Sequence, residues 1–116
     1  MPSTGLHGEY VLNENSINNN VTRISPGAYA LGRIEGNTFY IAYVGRSDSD
    51  IKSRLKDHIG NYSYFKYDYF STAKLAFDKE CELYHDFGSS VSLDNKIHPD
   101  RPKNSNWECP RCTIFD

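Results

Sequence analysis

Residues 27–47, GAYALGRIEGNTFYIAYVGRS, restrict the fold more than any other part of the chain. Gly27–Ile34 alternates in character, and Glu35-Gly36-Asn37 follows it as a turn. Thr38–Val44 is then dense in β-branched and aromatic residues, so the stretch reads as a β-hairpin. Tyr29 and Tyr43 lie on its two strands, where their hydroxyls can face a common site. Taken alone, they are packing aromatics.

The rest of the chain supplies elements to cover this hairpin. Gly45 ends its second strand, and Ser47-Asp48-Ser49-Asp50 offers helix-capping side chains. From Asp50 to His58 the period is helical, with Ile51, Leu55 and Ile59 as the buried stripe and Gly60 as the stop. Tyr62–Phe70 is rich in aromatics and reads as a third strand. Ser71-Thr72 can cap a second helix over Ala73–Phe87, ended by Gly88-Ser89-Ser90. Residues 1–25 are polar and Asn-rich, and Asn18-Asn19-Asn20 reads as a loop or loosely packed arm. The order ββαβα with a loop-rich tail indicates a small α+β domain.

At 116 residues, 38% of them hydrophobic, one modest core is expected, and an added staple would help it. No apolar run approaches the roughly 20 residues that cross a membrane. The N-terminal stretch lacks a basic start followed by an apolar segment, so a cytoplasmic location is the default expectation. The net charge of −2 argues against a protein that coats nucleic acid. Positive charge is nevertheless concentrated at Arg33, Arg46, Lys52, Arg54 and Lys56, a candidate DNA-binding surface beside the competing reading of ordinary solvated charge.

All three cysteines fall into one pattern. Cys109-Pro110-Arg111-Cys112 is a CxxC knuckle, while Cys81 and His85 are spaced i, i+4 on the second helix. Three sulfurs and one imidazole make a complete tetrahedral set for a structural Zn²⁺. Such a clip would tie the tail to the helix. His58, His98 or His7 could replace His85, Cys81 could be an ordinary core residue, and a redox CxxC is the alternative for the knuckle.

Gly27-Ala28-Tyr29 and Tyr43-Val44-Gly45, a hairpin apart, together with the downstream residues Arg54 and Glu80, resemble the GIY-YIG nuclease family over roughly residues 26–95. Ala28 and Val44 replace isoleucines of the family motifs. The resemblance implies a metal-dependent endonuclease that hydrolyses DNA phosphodiester bonds, with RNA left open as a substrate. It implies that Arg54 clamps the scissile phosphate, with His58 beside it at i+4. Arg46 follows the second motif, and Glu80 holds catalytic Mg²⁺ or Mn²⁺. Asn95 matches a late asparagine near the phosphate, although an ordinary turn residue competes with that role. Tyr29 is favoured as the base and Tyr43 as its support, without a firm division between them. A phenol ionises near pH 10, so Arg46, Arg54 and the ion would have to lower it.

The expected architecture is thus α+β, a small, mainly antiparallel three-stranded sheet flanked by helices and stapled by zinc. Residues 1–25 form an N-terminal arm, 26–95 the nuclease-like domain, and 96–116 a zinc-knuckle tail packed on the second helix. No membrane partner is expected, and a partner protein could supply target specificity. The rival readings are a catalytically inactive nucleic-acid-binding module and a zinc-organised protein-interaction domain.

Overall fold

The hairpin forms where its residues place it. β2 (Gly27–Glu35) and β3 (Thr38–Ser47) pair antiparallel down to Glu35 opposite Thr38. That register leaves Gly36-Asn37 as a two-residue turn, and Gly36 takes a φ of 61° that glycine adopts without steric cost. The computed structural model containing this hairpin describes residues 5–88, 92–95, 99 and 105–110. Its remaining elements are β1 (His7–Val11), α1 (Glu14–Asn20), α2 (Ile51–Lys56), β4 (Tyr64–Tyr69) and α3 (Ala73–Asp86).

The protein is α+β, built on a four-stranded sheet of order β1-β4-β2-β3 with every neighbouring pair antiparallel. β2 is therefore interior, and its first six residues are all buried. On one face, Tyr29 and Leu31 meet Ile51 and Leu55 of α2, Ile17 of α1, and Phe65 of β4. On the other, Ala30 and Val44 meet Leu83 and Tyr84 of α3, with Leu93 beyond the helix. A third cluster joins Phe77 and Cys81 of α3 to Trp107 and Cys109.

The sheet has one strand more than the sequence reading expected. The added strand comes from the segment expected to be a loose arm, because β1 pairs with β4. Tyr10 packs there on Phe65 and Tyr67 at ring-centroid distances of 5.6 and 6.0 Å. The Asn-rich run folds as α1 despite its weak helix formers. The Asn13 side chain caps α1 by accepting from the Ser16 N–H at 2.8 Å. At the other end the Tyr67 hydroxyl donates to the Asn20 carbonyl at 2.6 Å. Ile17 and Val21 are fully buried, so this segment is held by apolar burial and not by helix propensity.

α2 is shorter than expected. Asp50 caps it through the Ser53 N–H, but it ends at Lys56. The next N–H groups bond back in tight turns, His58 to Leu55 and Ile59 to Lys56. Ile59 consequently leaves the expected stripe and is 40% exposed, while Ile51 and Leu55 are fully buried. α3 follows the expected course, with Thr72 accepting from the Leu75 N–H at 3.2 Å.

Residues 92–95 cover the outer edge of β3. The Asn95 side chain accepts from the Val44 N–H at 2.9 Å and donates to the Val44 carbonyl at 2.8 Å. The Asp94 N–H donates to the Ala42 carbonyl. These bonds imitate a further strand and satisfy an exposed edge. No helix among the described residues is long and apolar enough to cross a membrane.

If α1 belongs to the core, Ile17→Ala will destabilise the domain by about 2–5 kcal/mol in urea unfolding. A change within about 0.5 kcal/mol would mark residues 5–25 as dispensable surface.

Candidate active site

The glycines of the hairpin ends have spatial reasons. Gly45 stands opposite Tyr29 in the strand register. A Cβ built on Gly45 would come within 2.5 Å of the Tyr29 hydroxyl oxygen, so the bare backbone lets the phenol pass across β3. A Cβ on Gly27 would lie 2.5 Å from Ile51 Cδ1, where α2 docks. Both motif glycines therefore allow close approach, one of a ring and one of a helix.

Tyr29 is almost wholly buried, and its Oη lies 2.9 Å from His58 Nε2. Tyr43 projects from the same side of β3, with its ring 5.2 Å from that of His58. Arg46, at odd spacing from Tyr43, leaves β3 on the opposite side and reaches α3. Its Nη1 donates to Glu80 Oε1 at 2.7 Å, its Nε donates to Asp48 Oδ1 at 2.8 Å, and the guanidinium lies 5.0 Å from the Phe77 ring centre.

Six of the seven expected catalytic residues line one cavity of about 400 Å³: Tyr29, Tyr43, Arg46, Arg54, His58 and Glu80. Asp48, Asp57, Ser47 and Ser49 share its wall. The cavity straddles the open end of β3, past the point where Asn95 covers the strand edge. Asn95 is outside that wall, and its amide is occupied by Val44 on both sides.

The expected basic surface is dispersed. Arg33 pairs with Glu35 at 3.3 Å and Lys56 lies 4.0 Å from Glu14; neither they nor Lys52 line the cavity. Arg54 does line it, and among the described residues it makes no ion pair, including the one to Asp50 or Asp57 that its sequence suggests. Its guanidinium is thus exposed and available to an anion.

Two acidic wall residues were missed in the sequence. Asp48 was read with the capping group, but Asp50 caps α2 while the Ser47 hydroxyl accepts from the Asp50 N–H at 2.9 Å. This frees Asp48 for Arg46. Asp57 stands between Arg54 and His58 in the chain, three residues after Arg54, and shares the cavity wall with both.

Burial sets the titration of the site. It pushes the Glu80 carboxyl up to about 7, against the opposing pull of Arg46. It pushes the Tyr29 phenol far above its ordinary value, with Tyr43 and Glu80 adding to the rise and Arg54 opposing it. Tyr43 moves up for the same principal reason, and Arg54 again opposes. His58 is moved down, chiefly by burial, which favours the neutral ring at neutral pH. For the protein groups alone, desolvation outweighs the acidifying pull of Arg54 on both tyrosines, and Arg46 is engaged with carboxylates. The group favoured to be neutral and able to accept a proton next to Tyr29 is His58.

Of the expected zinc ligands, Cys81 and Cys109 are both buried, lack a disulfide, and sit side by side. Burial raises the Cys81 thiol, and its hydrogen bond with Cys109 raises it further. His85 packs its ring 5.2 Å from that of Tyr84. Cys112 and His98 lie outside the described residues. No group of three or more His, Cys, Asp or Glu that could hold a metal gathers among the described residues.

No family model matches the chain, and no curated protein and no solved structure matches it.

The Arg46–Glu80 pair gives a pH-dependent expectation. In Arg46→Leu the buried Glu80 loses its opposing charge, so its pKa rises further. A carboxyl with a raised folded-state pKa withdraws stability as pH increases through that value. The variant will therefore lose about 3 kcal/mol at pH 8, and clearly less at pH 5, where Glu80 is protonated. Equal losses at the two pH values in urea titrations would contradict the assignment.

Proposed function

We propose that the protein is a GIY-YIG-type endonuclease that hydrolyses DNA phosphodiester bonds with the help of Mg²⁺ or Mn²⁺. The observation that carries this reading is the meeting in one cavity of two tyrosines, a buried glutamate and an arginine that makes no ion pair among the described residues. Arg54 suits the scissile phosphate because a planar, permanent cation matches oxygens whose charge grows in the transition state.

Glu80 fits a hard divalent cation. Its carboxylate faces the cavity, one oxygen is bound to Arg46, and Asp48 stands nearby on the same arginine. Water and substrate oxygens can complete an octahedral shell that a single carboxylate begins. The ion when bound would stabilise negative charge on the phosphate and the departing oxygen.

Tyr29 and His58 handle the proton. With the His58 proton on Nδ1, Nε2 accepts from the Tyr29 hydroxyl across 2.9 Å. The phenol oxygen can then take a proton from the attacking water as its own proton passes to His58. The relay needs no free phenolate, which burial of Tyr29 strongly disfavours. Tyr43, less buried and packed against His58 at a tilt of 47°, supports the ring and the water.

The Cys81–Cys109 pair is the starting half of a structural Zn²⁺ site, with Cys112 and His85 as its further ligands. Zinc there would staple the tail to α3 without touching Glu80, because consecutive helical residues diverge by about 100°. The pairing of two thiols in one buried cluster supports that reading. The modest net charge of −2 is in keeping with a partner protein that supplies target specificity.

Purified protein is expected to nick or cut DNA only with Mg²⁺ or Mn²⁺. Glu80→Ala and Arg54→Ala should each lower the rate by about 100-fold or more while far-ultraviolet circular dichroism stays unchanged. If a broad panel of DNA and RNA strands is left intact with either ion, the enzyme reading falls. Binding without cutting would leave the inactive nucleic-acid-binding module in its place.

Metal content tests the staple separately. Protein purified without chelator should carry about one zinc per chain, and Cys109→Ser should lose both the zinc and several degrees of thermal stability. Zinc near zero with Cys109→Ser as stable as the parent would remove it.

A further inference from the structure

The catalytic candidate cavity has a neighbour. Tyr43, in its wall, packs at a ring-centroid distance of 6.1 Å on Tyr62, and Tyr62 belongs to the wall of a second cavity of about 290 Å³. That volume lies near the lower end of small-molecule sites. Arg33, Asn61, Ser63 and Asp94 line it with Tyr62. His58, Tyr43 and Tyr62 therefore form an unbroken run of rings from one cavity to the other.

The polar groups of this second cavity are partly uncommitted. Asp94 accepts from the Tyr62 hydroxyl through Oδ2 at 2.8 Å, and among the described residues its Oδ1 has no partner. Asn61 is exposed, and among the described residues its side-chain amide makes no hydrogen bond. The Arg33 head is 59% exposed, and its pair with Glu35 is of the weak surface kind that a phosphate can displace. The Asp94 backbone is pinned to β3, and Tyr62 is pinned to Asp94. A carboxylate, an amide and an aromatic ring are thereby presented together on a fixed frame.

We propose that the second cavity receives the base of an unpaired nucleotide next to the phosphate held at Arg54, and that Asp94 selects bases bearing an exocyclic amino group. The proposal rests on the nucleic-acid reading of the first cavity. An ionised carboxylate only accepts hydrogen bonds. It is satisfied by the amino group of cytosine, as carboxylates are when they read that base in duplex DNA. Uracil and thymine put a carbonyl oxygen at the same place, so two acceptors would oppose each other. Asn61 has both a donor and an acceptor and tolerates either base. Tyr62 supplies a stacking face that every base can use. A base must leave the helical stack to enter a cavity and lie against Tyr62, so an unpaired base is the form that fits.

The test is fluorescence anisotropy on the full chain without divalent cation, comparing short oligodeoxycytidylate with oligodeoxyuridylate of equal length. The cytidine strand should bind about fivefold or more tightly. Asp94→Ala should bring the two strands to equal affinity, while Arg33→Ala should weaken both by the same factor. The ribonucleotide pair, run alongside, shows whether the selection operates on DNA, RNA or both. Equal affinity of the parent protein for the two bases in both sugar series overturns the proposal, and that comparison needs no variant to fold. Discrimination that survives Asp94→Ala also overturns it. The same strands incubated with Mn²⁺ test the nuclease reading independently. Intact strands with base selection retained would remove the nuclease and leave the subsite. Cleavage without base selection would do the reverse.

Discussion

The ion pair between Arg46 and Glu80 closes the site by joining the end of an edge strand to the helix on the sheet's far face. Both side chains are almost wholly withdrawn from water, at 12% and 10% exposure. Burial on that scale is costly for each charge alone, so the two are held to each other, with Asp48 and the Phe77 ring completing the seat of the guanidinium. Because Arg46 alternates with Tyr43 and Gly45 along β3, the strand sends its cation to one face while the tyrosines serve the other. Glu80 can meet Tyr29 and Arg54 in one cavity only because the cavity wraps around this open edge.

The second constraint is the missing side chain at Gly45. The Tyr29 phenol crosses β3 there to meet His58, and no larger residue leaves room for it. The same burial that fixes the hydroxyl also raises its pKa, so the geometry suits passing a proton along rather than holding a charge. Position and titration thus follow from one packing fact.

Much of this was legible in the residues, and the failures have identifiable causes. The hairpin, β4 and α3 announce themselves through alternation, aromatic density and the Thr72 cap. β1 does not, because five residues containing a glycine make too short a pattern. α1 is hidden for another reason: three consecutive asparagines argue against a helix, and only Ile17 and Val21, buried under the sheet, pull it into place. Ile59 was assigned to the core by extending a helical period that the chain abandons after Lys56. At the site, the resemblance to the GIY-YIG motifs singled out Tyr29, Tyr43, Arg46, Arg54, His58 and Glu80, residues whose local patterns alone read as packing or solvated charge. Spacing could not show that Asp48 would be released from capping duty, nor that Asn95 would spend its amide on Val44. Those outcomes depend on competition between neighbours for a few hydrogen bonds, which a linear pattern does not encode.

The proposed function places a divalent cation at Glu80 beside the tyrosine and arginine groups. Paramagnetic broadening of amide signals by Mn²⁺ tests it most directly, since the effect depends on distance and requires no substrate. The account predicts that the amides of Gly45, Arg46, Lys79, Glu80 and Cys81 broaden at low Mn²⁺, while those of Arg33 and Asn61 stay sharp. Broadening spread evenly over the acidic surface, or centred away from Glu80, would contradict it.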